Sequence, residues 1–316
     1  MQTRIGVLVV MLDRGKNPKN TSRPLNILED TEEYKIVFGD KITHNNAQIY
    51  LQEQPVDILF DRYPYQTYKD QDPLKKKSFL DIQNRCVPIC NPRFFTEFCK
   101  DKWEFQMYML KNSIPMPAIA QDRYQYWIKK WGGIAVAKPR FGSFGAGIEL
   151  VESSPSPLRK GVNGMDQTIV QKYIQPPDGF AGISVRQLIQ RNIDRSWTFR
   201  TTVARTSLYD PIVNAARGAD IVRAIDILPN TCCEKIQAMS KKIAQILGKL
   251  SPFVIEVGLD YVIDKNFNPV FIEANAQPKG KLKGLIKKQK IPSIMFEHQS
   301  VLKHPFEIMS KWMIQR

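Results

Sequence analysis

In the run VFIEANA the carboxylate of Glu273 and the carboxamide of Asn275 stand two residues apart. Alternation along a strand sends both side chains to one face. A second run, PFVIEVGLDYVID (252–264), precedes it across KNFNP, whose Asn and Pro signal a hairpin turn. A register symmetric about that turn, with Val262 opposite Phe271, sets Asp260 directly against Glu273. Opposed Cβ atoms in such a pair are about 4.5–5.5 Å apart. Glu256 falls on the same face by the same alternation. Facing carboxylates repel unless a cation joins them. Arginine or lysine could serve. The all-oxygen set of Asp260, Glu273 and Asn275 also suits Mg²⁺, which takes a few carboxylates and leaves places for phosphate oxygens. A one-residue slip would separate the pair.

A second stretch supplies the matching chemistry for an anion. In AKPRFGSFGAGIEL, Lys138 ends one strand, and Gly142, Ser143, Phe144, Gly145 and Gly147 form the turn into the next. Glycine lets backbone N–H groups approach a phosphate without a Cβ in the way. No GK[ST] follows, so this is not a Walker A loop, and a glycine-bearing hairpin is the plain alternative. Lys102 in the preceding helix and the strand TIVQKYI (168–174) add a second cation and a strand end able to meet a planar base.

The elements that must hold these groups follow from periodicity. IGVLVVML and DILFDRYP read as strands of a small α/β domain ending near residue 92. The alternative reading of the first run, a secretory leader, is disfavoured by Asp13 and Arg14 directly behind it. Residues 91–112 carry Phe95, Phe98, Trp103, Met107 and Leu110 at helical spacing, and SIPMPAI ends that helix. Strands are expected at 183–190, 197–205, 253–263 and 270–275, with a helix over 232–250. A last amphipathic helix is expected from about 305, with Pro305 as its first residue and Phe306, Met309 and Met313 on the stripe that docks on the body.

The formal net charge of +15 attracts anions such as nucleotide phosphates, acidic substrates, nucleic acid or lipid. Nucleic acid is not expected, since no helix-turn-helix, zinc or stacked-aromatic motif appears. The densest basic run, KGKLKGLIKKQK (279–290), reads as a solvated face. No apolar run approaches the ~18–20 residues of a membrane span, and no membrane partner is expected. The five cysteines have no metal-ligand spacing and read as reduced packing thiols of a cytoplasmic protein. His44, His298 and His304 fall outside the motif region and read as solvated or core side chains.

The ordered set, Lys102, then VAKPRFGSFGAGI, IVQKYI, an arginine-bearing strand, VGLD and FIEANAQP, resembles the ATP-grasp superfamily. NPRFFTEFCKDKWE, GSFGAGI, EVGLDYVIDKN and DRYP look closest to YheC/YheD-type, endospore coat-associated ATP-grasp proteins. The resemblance implies an α/β chain with the ATP-grasp fold: an N-terminal Rossmann-like pre-ATP-grasp domain (1–92), a lid (93–178) and a C-terminal unit with the metal site (179–316). It implies that Lys102 and Lys138 reach ATP, with residues 142–147 over the phosphates. The backbone of Gln171, Lys172, Tyr173 and Ile174 would hold adenine. Asp260, Glu273 and Asn275 would hold Mg²⁺. Arg186, Arg205 and Arg217, with Asn214, resemble groups that face the γ-phosphate. Two positions depart from the pattern. Ser184 stands where many relatives have an acid, and Lys172 stands where the hinge usually has Glu, which makes Asp178 a candidate for the ribose. The implied activity is ATP- and Mg²⁺-dependent joining of a carboxylate, peptide-like or acidic, to an amine through an acyl-phosphate. A kinase of an anionic alcohol, or a spore-associated ATP-binding scaffold with little turnover, are the alternatives. A homo-oligomer is compatible with this reading.

Overall fold

The computed structural model describes residues 2–8, 29–39, 42–44, 48–62, 88–141, 147–153, 168–213, 218–278, 282–289 and 291–315. Three sheets carry the fold, with a small meander beside the first. β1 (Thr3–Leu8) and β2 (Tyr34–Gly39) are followed by the meander β3 (Ile42–His44), β4 (Ile49–Leu51) and β5 (Gln54–Val56). β6 (Ile58–Asp61) and β7 (Ile89–Cys90) complete a parallel sheet of order β2-β1-β6-β7. Its strands are apolar on both faces, as covered parallel strands require: Ile5, Val7, Ile58, Leu59 and Phe60 are all buried.

The helical stretch after it is two helices, α1 (Arg93–Lys100) and α2 (Lys102–Lys111), broken at Asp101. The break has a plain cause. The Asp101 carboxylate accepts from the Trp103 and Glu104 amides at 3.1 and 3.2 Å, an N-cap that starts α2. β8 (Ile119–Ala120), α3 (Tyr124–Lys130), β9 (Ala135–Pro139), β10 (Glu149–Val151) and β11 (Thr168–Lys172) then build an antiparallel sheet of order β10-β9-β11-β8. Its own small core is Ala120, Ile128, Ala135, Ala137 and Val170.

The large antiparallel sheet holds β12 (Gly182–Arg191), β13 (Trp197–Phe199), β14 (Val203–Ser207), β15 (Asp220–Arg223), β16 (Glu256–Ile263) and β17 (Pro269–Asn275) in the order β15-β14-β12-β16-β17, with β13 on β12. α4 (Asn230–Gly248), α1 and α2 cover one face, where Val257, Leu259 and Tyr261 meet Phe105, Phe271, Ile236 and Leu247. Phe95, Cys99, Phe105, Met109 and Ile114 thus share the core of the large sheet. α5 (Leu282–Gln289) and α6 (Pro292–Ile314) cover part of the other face through Leu188, Val203, Leu285 and Val301. The four free cysteines described, Cys90, Cys99, Cys232 and Cys233, pack in or against these cores; Cys86 lies outside the described residues.

The last helix corrects the sequence reading. It begins at Pro292, and Pro305 lies inside it. A proline there has no N–H for the carbonyl four residues back. That carbonyl, Val301, accepts instead from Gln190 Nε2 at 2.9 Å. Phe306 and Met309 dock on Ile5, Val7 and Phe60 of the N-terminal sheet, as the stripe predicted. Asn91 fixes the same junction. Its amide donates to the carbonyls of Glu256, at 2.6 Å, and Ala276, and its Oδ1 accepts from Ile255 N at 2.8 Å. Asn91→Ala strands these buried backbone groups, at about 1–3 kcal/mol for each group left without a partner. A loss of about 2–4 kcal/mol in urea unfolding is expected; an unchanged midpoint would show that water replaces the side chain.

Candidate functional site

The site lies on the face of the large sheet that α4 leaves uncovered, and a single irregularity creates it. Asp260 pairs with Glu273, and Gly258 with Asn275, as the sequence predicts. Nearer the turn the register differs: Tyr261 pairs with Phe271 and Val262 with Val270, so the predicted opposition of Val262 and Phe271 does not occur. Ile272 is the extra residue of a β-bulge. The bulge lets Phe271 enter the helix-side core while Glu273, two residues on, reaches the opposite face beside Asp260.

Four cations converge there. Arg186, opposite Asp260 in the β12–β16 register, grips it with both guanidinium edges: Nε donates to Oδ1 at 2.7 Å and Nη2 to Oδ2. Arg205 Nη2 donates to the same Oδ1 at 3.2 Å. The cation expected between the carboxylates is thus arginine at Asp260. Burial opposes the charge on both arginines. At Arg186 the bidentate carboxylate outweighs it and the pKa rises, whereas at Arg205 burial and the neighbouring Arg186 leave it lowered. Lys138, buried at the end of β9, is pushed down to about 8 by desolvation. Its ammonium donates to Gln171 Oε1 at 2.9 Å, and Gln171 Nε2 donates to Gln106 Oε1 at 3.1 Å. Lys102 is also lowered by burial. Glu273 favours the charge on Lys102, Lys138, Arg186 and Arg205 through space. Among the described residues it has no hydrogen bond or ion pair within 4 Å of its own.

Asp101 positions both lysines. It caps α2 at Lys102 and pairs with Arg140, two residues after Lys138, through Nε at 2.7 Å and Nη2 at 2.6 Å. Lys102 N also donates to the Arg140 carbonyl at 3.1 Å.

Other expected residues fall differently. Gln171 contributes its side chain. Its backbone lies within the sheet, between Val136 and Ile119, and Lys172 N donates to Ala118 O at 2.8 Å. Of the four residues expected to meet adenine with backbone groups, only Tyr173 and Ile174 lie beyond the strand. Lys172 and Asp178 are exposed, and no described contact ties Asp178 to the cluster. Gly147 has φ of +70°, and a Cβ there would lie 3.0 Å from the Pro139 ring. Glu256 does not join the site: it pairs with Arg62 at 3.2 Å and accepts from Gln190 at 3.1 Å. Gly142, Ser143, Phe144, Gly145, Asn214 and Arg217 lie outside the described residues, as does most of RYPYQTY.

Sequence reasoning missed Gln106, Asp101 and Arg140. Gln106 follows Lys102 by four residues, a helical spacing that places them on one face. Ser184 also gains meaning. It faces Arg205 across the β12–β14 register, and Ser184 Oγ and Arg205 Nε are both buried without a hydrogen-bond partner among the described residues. Buried polar atoms are rarely left so, and a ligand acceptor would satisfy them.

Residues 157–298 match the family model described as YheC/D like ATP-grasp. Over these residues the chain resembles ATP-grasp proteins of the YheC/D type. D-alanyl-alanine synthetase A from Vibrio cholerae is similar over 95% of this chain and 98% of its own, with TM-score 0.64 and 14% identity. VanG D-Ala:D-Ser ligase from Enterococcus faecalis is similar over 88% and 91%, with TM-score 0.58 and 13% identity. Carboxyaminoimidazole ribonucleotide synthase from Aspergillus clavatus, complexed with ATP, is similar over 89% and 72%, with TM-score 0.56 and 11% identity. At these identities the likeness is one of fold. A comparison with curated proteins finds no match.

The donor set of this site fits a hard cation through Glu273, with Asp260 opposite and Asn275 beside it. Asn275 Oδ1 meanwhile accepts from Gln277 N at 3.0 Å. Among the described residues no three His, Cys, Asp or Glu side chains gather at one point, so phosphate or water oxygens must supply most of such a cation's shell.

Lys138 yields a signed pH dependence. Its folded pKa of about 8 lies below the ~10.5 of a free lysine. The folded protein therefore loses this charge as pH rises through 8, and an arriving phosphate must restore it. Nucleotide binding is expected to take up close to one proton at pH 9 and almost none at pH 6.5, with affinity falling by up to about tenfold per pH unit above 8. Titration calorimetry in two buffers of different ionisation enthalpy measures the uptake. Lys138→Arg, which stays charged, should abolish it; undiminished uptake in that variant rules Lys138 out as the source.

Proposed function

We propose that the protein is an ATP- and Mg²⁺-dependent ligase that joins a carboxylate to an amine through an acyl-phosphate. The observation that best supports this is the surplus of charge on one sheet face. Among the described residues four cations, Lys102, Lys138, Arg186 and Arg205, stand against two carboxylates, Asp260 and Glu273, a surplus of two. Such a site awaits a polyanion.

In this reading Lys102 and Lys138 meet the phosphates, and the backbone of Tyr173 and Ile174 meets the adenine. Glu273 and Asn275, with Asp260 opposite them, would hold Mg²⁺, which would supply positive charge to the nucleotide phosphates. A substrate carboxylate attacks the γ-phosphorus, the bond to the β-phosphate oxygen breaks, and ADP leaves. The amine then attacks the acyl carbon and expels phosphate. The chain supplies alignment and charge. Arg186 and Arg205 are held by Asp260 before any substrate arrives, so they need little reorganisation. Arg217, with Asn214, would complete the donors around the transferred phosphoryl group. No serine, cysteine or histidine nucleophile is required. Two of the similar structures bear names of ligases that join amino acids, which favours an amino-acid-like or peptide acid, and the positive charge of the chain favours an acidic one.

The same surplus would suit a kinase acting on an anionic alcohol, or an ATP-binding scaffold with little turnover. Hydroxylamine separates the first from a ligase by trapping an acyl-phosphate as hydroxamate. ADP release is best screened over amino acids, peptides and spore-wall fragments with Mg²⁺. Glu273→Gln is expected to lower turnover about 10²–10³-fold with an unchanged melting profile. Full turnover by that variant, or a stable phosphoester product, would sink the ligase reading.

A further inference from the structure

A second feature stands apart from the nucleotide site. Between residues 279 and 303 the sequence holds seven lysines and one acid, Glu297. Glu297 turns inward, where its carboxylate accepts from Thr201 N at 2.7 Å and from the Thr201 hydroxyl. Lys283 and Lys287 are one turn apart on the exposed side of α5, and Lys303 is exposed on α6. The apolar sides of the two helices are spent on the large sheet: Leu282, Leu285, Ile294 and Val301 are buried against Leu188 and Val203. Gly284 holds α5 close to β15, since a Cβ there would lie 2.6 Å from Ile221 Cδ1. Yet two large apolar side chains at the start of α6 face outward, Met295 at 48% and Phe296 at 76% exposure.

We propose that the outer face of α5 and the first turns of α6 form a docking surface for an anionic lipid membrane, with Met295 and Phe296 entering the interface and the lysines resting on its headgroups. Adjacent apolar side chains flanked by lysines, with no outward acid, are the chemistry of an interfacial helix. Charge complementarity selects an anionic partner. The exposure of Phe296 selects a broad surface over a peptide groove, because a groove would already cover half of the ring. The expectation of no membrane partner rests on the lack of a spanning segment. Among the described residues no helix is long and apolar enough to cross a membrane, but surface docking needs none.

Vesicle co-sedimentation of the full chain tests this. Vesicles of equal parts phosphatidylglycerol and phosphatidylcholine should bind it at least about tenfold more tightly than phosphatidylcholine alone at low salt, and the difference should shrink in 0.5 M salt, a ~4 Å Debye length. Neutralising Lys283 and Lys287 together, as K283Q/K287Q, should weaken binding about 25-fold, roughly fivefold for each lysine. M295S/F296S should weaken it while leaving ADP release unchanged. Equal binding to both vesicles, or binding untouched by either double variant, overturns the proposal. So does duplex DNA or a polyglutamate peptide that binds as tightly and is insensitive to M295S/F296S, a result that assigns the face to soluble polyanions.

Discussion

The bulge at Ile272 reconciles two demands on one short strand. The core needs Phe271 against Tyr261 and Phe105, whose rings lie 5.5 and 6.0 Å from it. The site needs Glu273 beside Asp260 on the other face. In a regular strand residues two apart share a face, so both demands cannot be met without an extra residue. Burying a phenylalanine is worth roughly 1.5–3 kcal/mol, enough to hold the irregular strand in place. Ala274 and Ala276 then continue the core while Asn275 joins Glu273. The carboxylate placement thus follows from hydrophobic packing on the far side of the sheet.

Electrostatics set the rest. A buried carboxylate shared by two arginines is held firmly, since removing one partner of such a group costs about 3–5 kcal/mol. The unequal sharing matters more. Arg186 takes both oxygens of Asp260, whereas Arg205 takes one, keeps a buried Nε without a partner among the described residues, and is disfavoured in its charged form. Arg205 therefore gains more than Arg186 from an incoming anion. Lys138 and Lys102 are in the same condition, charged against the cost of burial and relieved by Glu273 at a distance. A site whose cations are underpaid in this sense is stabilised by phosphate binding, which is the behaviour expected of a preorganised polyanion site.

How much of this was legible depends on the range of the cause. The opposed acids could be read from two runs and a turn, because hairpin pairing is local. The bulge could not, since nothing in PVFIEANA marks Ile272; its cause includes Phe105, distant in sequence, as well as Tyr261 across the hairpin. The helix after Asn91 was visible by period; its break at Asp101 was not read, although Phe98 and Trp103 stand five residues apart and Asp is a natural cap. Pro305 read as a helix start because that is where proline is usually tolerated. The missing bond is compensated by Gln190, far away in the chain, and no local pattern announces that. The backbone of Gln171 pairs within the sheet while its side chain meets Lys138 and Gln106, because a sequence does not say which backbone groups a neighbouring strand will occupy.

The same long-range contacts decide which part of the molecule can vary. Arg62 reaches from the end of β6 to Glu256, and its Nη2 donates to Pro278 O at 3.1 Å. Gln277 donates back to Asp61 O at 3.2 Å, and Arg93 pairs with Asp61 at 3.3 Å. Gln190 joins Glu256 to α6, and Arg200 Nε donates to Gln190 Oε1 at 2.8 Å. These buried links fasten the N-terminal sheet, the end of β17 and the last helix to one another. The β8–β11 sheet has a separate core and meets the remainder through α2 at Asp101 and Arg140, and through the Lys138–Gln171–Gln106 relay. Both connections run directly beside the two lysines. Any shift of that small sheet must therefore move Lys138 relative to Glu273.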